Sequence, residues 1–296
     1  LRLAAIDIGS NAARLLITEV SADENNKASF TKLSLVRVPL RLGFDVFDTG
    51  KISPQKINLL LLTMKGFLNL SEAFEVKSMK TCATSAMRDA SNTPEIIALV
   101  KKETGIEIEV ISGSDEASLV FENHIAENLD KEHSYLYIDV GGGSTELTFF
   151  NNNEMIFKDS FNIGTIRLLK NQVSDATWDE MKVSIKNKTK GFKTITAIGS
   201  GGNINKVFSL SKRKEGKPLP LDLLHDYYKE LSNVSLPDRI NIYKLKEDRA
   251  DVIVPALEIY ISAMRWAGAT EIYVPKIGLA DGLVQHLWAK EMKNNK

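Results

Sequence analysis

One cysteine, Cys82, is all that the 296 residues contain, and a lone thiol excludes an intramolecular disulfide. That scarcity fits a reducing compartment; within the apolar stretch VKSMKTCATSA the residue reads as a buried structural thiol. Net charge is missing too, because 38 Lys plus Arg balance 38 Asp plus Glu. A polyanion must then be held by local clusters, not by an overall field. Nor is there a long hydrophobic run. The longest, INLLLLTMKGFLNL at 57–70, falls short of the ~20 residues of a membrane span. Asn58, Lys65 and Asn69 interrupt it, and it reads as a buried helix. The chain enters a strand pattern at once, with Asp7 too early for a signal peptide, so a cytoplasmic protein is expected. His124, His133, His225 and His286 lack metal-ligand spacing, which speaks against a zinc site. Neither a Gly-x-Ser-x-Gly elbow nor a Gly-x-x-x-x-Gly-Lys loop occurs.

What is present points to duplication. A chain 43% hydrophobic and 26% charged is ordinary globular protein with a sizeable core, and its length accommodates two domains of ~150 residues. Residues 3–8 and 13–20 are apolar and flank Gly9-Ser10-Asn11, which predicts a β-hairpin. Further strands are predicted at 30–40, 75–83 and 106–111. Helices are predicted from the Ser53-Pro54 cap to about 73, over 94–104 up to Gly105, and over 112–129. The last rests on the spacing of Ala117, Val120, Phe121 and Ile125. Then the series restarts. Strands are predicted at 135–139, 145–150, 154–161, 192–199 and 271–274. Helices follow Gly164 and fill 175–190, 202–211, 221–232, 248–267 and 279–292. The order strand-strand-strand-helix-strand-helix-strand-helix, begun twice, is an internal duplication of an α/β unit and not a solenoid. The boundary is expected near 120–133, giving domains 1–122 and 123–296, with the last helix free to return to the first.

The repeat carries its chemistry in two matching lines, LAAIDIGSNAARLLIT (3–18) and YLYIDVGGGSTELTFF (135–150). Asp7 precedes Arg14 by seven residues, and Asp139 precedes Glu146 by the same interval. A lone Asp-x-Gly hairpin is ordinarily a tight turn. Two in one chain are better explained as paired phosphate loops, since glycine turns leave N–H groups open to phosphate oxygens. An Asp at a strand end beside such a turn suits a hard cation, and phosphoryl transfer commonly uses Mg²⁺ held this way. The segment AIGSGGN (197–203) ends a strand and opens a helix. Helix N-termini attract anions, so Gly201 is either a further phosphate contact or a plain strand–helix turn. Arg88, in ATSAMRDASN, offers a phosphate-matching fork, or else binds Asp89 or a helix end. Glu116, beside Asp115 in GSDEASLVF, is either a reactive carboxylate or an acid suited to a helix N-terminus. Lys182, Lys186 and Lys190 form one helical stripe; Lys206, Lys212, Arg213, Lys214 and Lys217 follow the glycine cluster. Such runs are usually solvated surface, the alternative being a track for an extended polyanion.

In order, AAIDIGSNAARLLI, CATSAMRDASN, VISGSDEASLVF, YIDVGGGSTELTF, NIGTIRLL, AIGSGGN, RADVIVP and GLADGL resemble the exopolyphosphatase/guanosine pentaphosphate phosphohydrolase (Ppx/GppA) family. That family is a branch of the acetate-kinase, sugar-kinase, Hsp70 and actin superfamily. The resemblance spans nearly the whole chain, and SGSDEA ahead of DVGGGSTE is particular to this branch. It implies an α/β fold of two ribonuclease-H-like (actin-like ATPase) domains with the active site in the cleft between them. It also implies that Glu116 is the general base, and that Asp139 and Glu146, with Asp7, hold Mg²⁺ or Mn²⁺. By the same resemblance Ser10, Asn11, Arg14, Arg88, Gly141, Gly142, Gly143, Ser144 and Gly201 contact phosphate. Arg14 would hold the anion, and Glu146 the cation that neutralises it. Two stretches depart from the family pattern. Ala12 stands where the family often has Ser, and Gly278-Leu279-Ala280-Asp281-Gly282 where it often reads Gly-Leu-Arg-Glu-Gly. The chain resembles the short two-domain form, without the helical C-terminal domains of the long members.

The activity this implies is Mg²⁺-dependent release of terminal phosphate from inorganic polyphosphate, guanosine pentaphosphate (pppGpp) or both, the latter within the stringent response. A polyphosphate:ADP or small-molecule kinase is an alternative, as is a catalytically silent alarmone-binding regulator. The acids at 116, 139 and 146 weigh against the regulator, because a pure anion binder gains nothing from carboxylates in its site. No nucleic-acid or membrane partner is expected, and monomer and homodimer both stay open.

Overall fold

The computed structural model describes residues 1–23, 28–124, 133–152, 154–275 and 277–294. Positions 125–129 of the predicted helix 112–129 lie outside the described residues, as do the side chains of Val120 and Phe121 and most of the predicted boundary. The chain divides into two compact units, Leu1–Ala126 with Ile277–Lys296, and Glu127–Lys276.

The first unit opens with strands β1 (Arg2–Ile8), β2 (Ala13–Ala22) and β3 (Ala28–Val38), then helices α1 (Leu42–Thr49) and α2 (Pro54–Ala73). Strand β4 (Ser78–Ala83), helices α3 (Ser85–Asp89) and α4 (Thr93–Thr104), strand β5 (Ile108–Val110) and helix α5 (Gly113–His124) follow. Ser53 caps α2 by accepting from the Lys56 amide, with Pro54 in the first turn, as the Ser-Pro pair predicts. Gly105 closes α4 in a left-handed conformation. Strand β4 begins three residues later than predicted for a local reason. The Phe74 and Val76 amides reach back to Leu70 and Ser71 carbonyls, so residues 74–76 finish the preceding helix.

The second unit repeats the plan with β6 (Ser134–Val140), β7 (Thr145–Asn151), β8 (Glu154–Phe161), α6 (Thr165–Leu169), α7 (Asp175–Lys188), β9 (Ile195–Ser200) and α8 (Gly202–Leu210). It continues through β10 (Leu219–Pro220), α9 (Leu221–Ser232), α10 (Leu236–Tyr243), α11 (Glu247–Ala250), α12 (Ile253–Ala267) and β11 (Glu271–Tyr273). The predicted helix 248–267 is two helices. Pro255 has no N–H to donate and its ring crowds the carbonyl four residues back, so α12 starts afresh at Ile253. Helices α1, α3 and α10 were not predicted, although Ser235 and Pro237 ahead of α10 carry a start signal: Ser235 accepts from the Asp238 amide.

The sheets run β3-β2-β1-β4-β5 and β10-β11-β9-β6-β7-β8. Read from the other edge, the second is the first with β10 added. In both, the first three strands are antiparallel and the rest of the repeat is parallel, the signature of an internal duplication. Helix α13 (Leu279–Asn294) follows the second unit in sequence yet belongs to the first. Its Leu279, Leu283, Val284 and Leu287 share one core with Leu3, Ala5, Leu16, Val20 and Cys82. Asp281 accepts from the Gly278 amide and pairs with Lys32 of β3 at 2.6 Å, so it ties α13 to the edge of the sheet. Among the described residues no helix is long and apolar enough to cross a membrane.

Candidate active site

Strand pairing places Asp7 opposite Arg14 of β2 and Cys82 of β4. In the second unit it places Asp139 opposite Glu146 of β7 and Ser200 of β9. The two hairpin turns close identically. The Gly9 amide donates to the Ala12 carbonyl at 3.0 Å, and the Gly141 amide to the Ser144 carbonyl at 2.9 Å. Closure through a backbone oxygen needs no hydroxyl, so Ala12 serves where a Ser would.

Other carbonyls of both turns are engaged by protein. Ser10 and Asn11 carbonyls accept from the Gly43 and Arg41 amides. Gly141 and Gly142 carbonyls accept from the Thr165 and Ile166 amides, and that of Gly143 from Arg167 Nε at 2.8 Å. A turn whose lone pairs are satisfied from behind offers a ligand its N–H side, the polarity an anion requires. Gly164 makes the second arrangement possible. A Cβ there would sit 2.4 Å from the Gly142 carbonyl oxygen and the Gly143 carbonyl carbon, so only glycine lets α6 start against the turn.

In the first unit Asp7 is 4% exposed, and its Oδ2 takes a 2.6 Å ion pair from Arg14 Nη1. Ser10 is buried and hydrogen-bonded, hydroxyl to hydroxyl, with Ser85 at 2.7 Å. Arg88 donates to the Ile111 carbonyl at 2.7 Å and so braces the end of β5. That leaves the two acids at the start of α5. Asp115 is exposed and closes a local cap, accepting from Ser112 Oγ at 2.6 Å while its amide donates back to that oxygen. Glu116 is half-buried and turns the other way. Burial pushes the Cys82 thiol up to about 12; Lys80 pulls it down, and the charges of Glu109, Asp7 and Glu116 raise it further. Glu116 and Asp7 thus both lie within electrostatic reach of one thiol at the centre of the sheet.

In the second unit Asp139 and Glu146 face each other on one sheet surface, where cross-strand Cβ atoms stand about 4.5–5.5 Å apart. Glu146 is buried and takes a 3.0 Å hydrogen bond from Ser160 of β8. No three His, Cys, Asp or Glu side chains form a metal-binding group among the described residues. Two facing carboxylates nevertheless fit Mg²⁺, which is commonly held by one or two carboxylates and keeps several waters. Asp7 is different, since Arg14 already offsets its charge. Gly201 caps α8 with φ 109°, and a Cβ on it would lie 3.3 Å from Asp139 Oδ1 and 3.4 Å from Tyr260 Oη. Tyr260 is buried, and burial followed by the Asp139 charge pushes its phenol well above the usual range, so it stands as a neutral hydroxyl. Of the basic residues, Lys182 lies 3.9 Å from Asp179 and Arg213 donates to the Pro218 carbonyl at 2.7 Å, both on the surface.

Sequence reasoning placed a helix after Gly164 without giving the residue a part in the site, and it missed Ser160 and Tyr260. Gly164 lies inside NIGTIRLL, where a glycine at a helix start was a readable signal. Ser160 and Tyr260 carry no local signal, because only the pairing of β7 with β8 and the packing of α12 bring them to the site.

The family described as Ppx/GppA phosphatase matches residues 20–291. Exopolyphosphatase 1 of Mycobacterium tuberculosis is 24% identical over 311 residues, which cover 96% of this chain and 87% of that protein. The bifunctional 3-dehydroquinate synthase/phosphatase of Fusobacterium nucleatum is 36% identical over 172 residues, 56% of this chain and 25% of its own length. The chain therefore spans a quarter of that larger relative. An exopolyphosphatase crystal structure from Cytophaga hutchinsonii superposes with a TM-score of 0.82 at 25% identity, covering 98% of each chain. The duplicated sheet, the paired turns and a match over nearly the whole length lead to one conclusion: the chain belongs to the Ppx/GppA phosphatase family.

Proposed function

We propose that the protein is a divalent-metal-dependent phosphohydrolase that releases terminal phosphate from inorganic polyphosphate, from pppGpp, or from both. One observation carries the reading. The same anion-facing turn occurs in both units with the charge at one register position reversed, Arg14 across from Asp7 and Glu146 across from Asp139. A cation beside one turn and two carboxylates beside the other are the chemistries that a phosphate and its counter-cation respectively call for. The exopolyphosphatase names of relatives aligned over most of the chain support hydrolysis over transfer.

In this reading the turn at Ser10–Asn11 and the Arg14 guanidinium bind phosphate oxygens, with Asp7 orienting Arg14. Arg88 keeps one donor on Ile111 and directs the rest of its fork toward phosphate. Glu116 takes a proton from the attacking water as the water oxygen bonds to the terminal phosphorus. The bridging P–O bond breaks, and the shortened chain leaves with its electron pair. In the second unit the turn Gly141–Gly142–Gly143–Ser144 and the α8 N-terminus at Gly201 bind phosphate oxygens. Asp139 and Glu146, the latter oriented by Ser160, would hold Mg²⁺ or Mn²⁺. When bound, the cation offsets charge developing on the phosphoryl oxygens.

The test is phosphate release in Mg²⁺ buffer from short polyphosphate, long polyphosphate, pppGpp and ATP, with Glu116→Gln alongside. Release from one of the first three that is lost in the variant supports the reading and names the substrate. If nothing is released until ADP or another acceptor is added, the protein is a phosphotransferase and the hydrolase reading fails.

A further inference from the structure

Tyr260 lies on α12 at 1% exposure, within the core of the second unit. Its ring fills space that a phenylalanine ring would fill equally, so the hydroxyl contributes only through its polar contacts. Those contacts are specific. The hydroxyl donates to the Ser200 carbonyl, and the Val140 carbonyl oxygen lies beside the same turn, 3.2 Å from where a Gly201 Cβ would be. Val140 and Ser200 are the last residues of β6 and β9, neighbours in the sheet. Asp139, the residue before Val140, pairs with Ser200 across the two strands, and Gly201 follows Ser200. Asp139 Oδ1, Val140 O and Tyr260 Oη all lie within 3.4 Å of where a Gly201 Cβ would be. Gly201 itself sits at φ 109° and has no side chain with which to fix that turn.

We propose that Tyr260 is a positioning residue: its hydroxyl locks the Ser200–Gly201 turn onto the Asp139 end of β6, presetting both the Asp139 carboxylate and the first turn of α8. The inference rests on the proposed role of Asp139 in holding the cation. It adds that the precision of this carboxylate is supplied from α12, through a hydroxyl that itself meets neither metal nor substrate. A buried hydroxyl without a partner is costly, so the same bond that holds the turn also holds the tyrosine.

Two measurements on the full chain test it, using Tyr260→Phe with Ile185→Val as a control. Ile185 is fully buried in the same core and has no part in the site. Hydrogen exchange followed by mass spectrometry reads the turn, and calorimetric titration with Mn²⁺ reads the carboxylate. Tyr260→Phe is expected to speed exchange at residues 200–205 about tenfold and to weaken Mn²⁺ binding by a similar factor, the effect of one lost hydrogen bond. Exchange elsewhere in the unit should stay put. In Ile185→Val any increase should spread across the unit with Mn²⁺ affinity unchanged. Unchanged exchange at 200–205 in Tyr260→Phe, or a rise as diffuse as the control's, would overturn the proposal. So would undiminished Mn²⁺ affinity in Tyr260→Phe where Asp139→Asn abolishes it. If Asp139→Asn leaves Mn²⁺ affinity intact, the metal reading alone falls, and the exchange pattern still decides whether Tyr260 holds the turn.

Discussion

Arg14 Nη1 lies 2.6 Å from Asp7 Oδ2, directly across the β1–β2 ladder. At the same register in the second hairpin, Glu146 faces Asp139. One hairpin is therefore internally neutral at this position and the other carries two carboxylates, from residues the duplication makes equivalent. That asymmetry is the physical basis for the proposal that the first turn takes an anion and the second a cation.

Removing Arg14 leaves a buried carboxylate unpaired. The Asp7 side chain is 5% exposed and that of Arg14 33%, so solvent screens part of the pair. Arg14→Met is expected to lower stability by about 1–3 kcal/mol, below the full cost of breaking a fully buried pair. Urea denaturation checks this. The double variant Arg14→Met/Asp7→Asn should recover much of the loss, since coupled residues are not additive. Strictly additive losses would show that the pair does not act as one unit.

Adjacent acids on α5 should behave differently. Glu116→Gln is expected to fold normally and to lose roughly 10²–10⁴-fold in kcat, the usual range for a general base. Asp115→Asn changes an exposed cap on Ser112 and should keep turnover within about twofold. Steady-state kinetics on the substrate identified first separates them. A Glu116→Gln protein retaining more than about a tenth of the wild-type rate would remove Glu116 from that role.

Two glycines give opposite predictions. Gly164→Ala drives a Cβ into backbone atoms 2.4 Å away, and backbone cannot yield as a side chain tip can. A loss of about 3 kcal/mol or more is expected, at the upper end of overpacking effects. Gly66 is exposed within α2 with nothing near its Cβ position, so Gly66→Ala should add roughly 0.5–1 kcal/mol. Thermal melts of the two variants should move in opposite directions.

Cys82 should make the protein sensitive to alkali. Burial raises the folded thiol to about 12 from an ordinary value of 9.0. Between those limits the unfolded chain has lost a proton that the folded chain keeps, so stability falls as pH rises. Below about pH 9 the contribution is fully present. Urea midpoints at pH 8 and pH 10.5 should therefore separate more for wild type than for Cys82→Ala, and a thiol reagent should label Cys82 only after unfolding. Equal separation in both proteins would exclude the thiol as the cause.

Much of the fold was readable before the structure. The Ser53-Pro54 start of α2, the Gly105 stop of α4 and the Gly9-Ser10-Asn11 hairpin all rest on interactions within a few residues. The pairing of Asp7 with Arg14 and of Asp139 with Glu146 was legible for a related reason: two hairpins of equal length must bring equal positions into register. Arg88 and the pair Asp115/Glu116 were not resolved by sequence. Their roles depend on what lies opposite, the Ile111 carbonyl for Arg88 and the Cys82–Asp7 side of the sheet for Glu116.

What the sequence determined by itself is the repeat, its two turns and the charges written beside them, because hydrogen bonding within a hairpin and alternation along a strand are short-range and depend on local residue order. The tertiary structure alone decided that α13 returns to the first sheet, that Gly164 brings α6 against the second turn, and that Tyr260 reaches the ends of β6 and β9. Each of these joins residues far apart in the chain. The apolar face of a helix can be satisfied by any sheet surface of matching shape, and only the assembled core selects which one it covers.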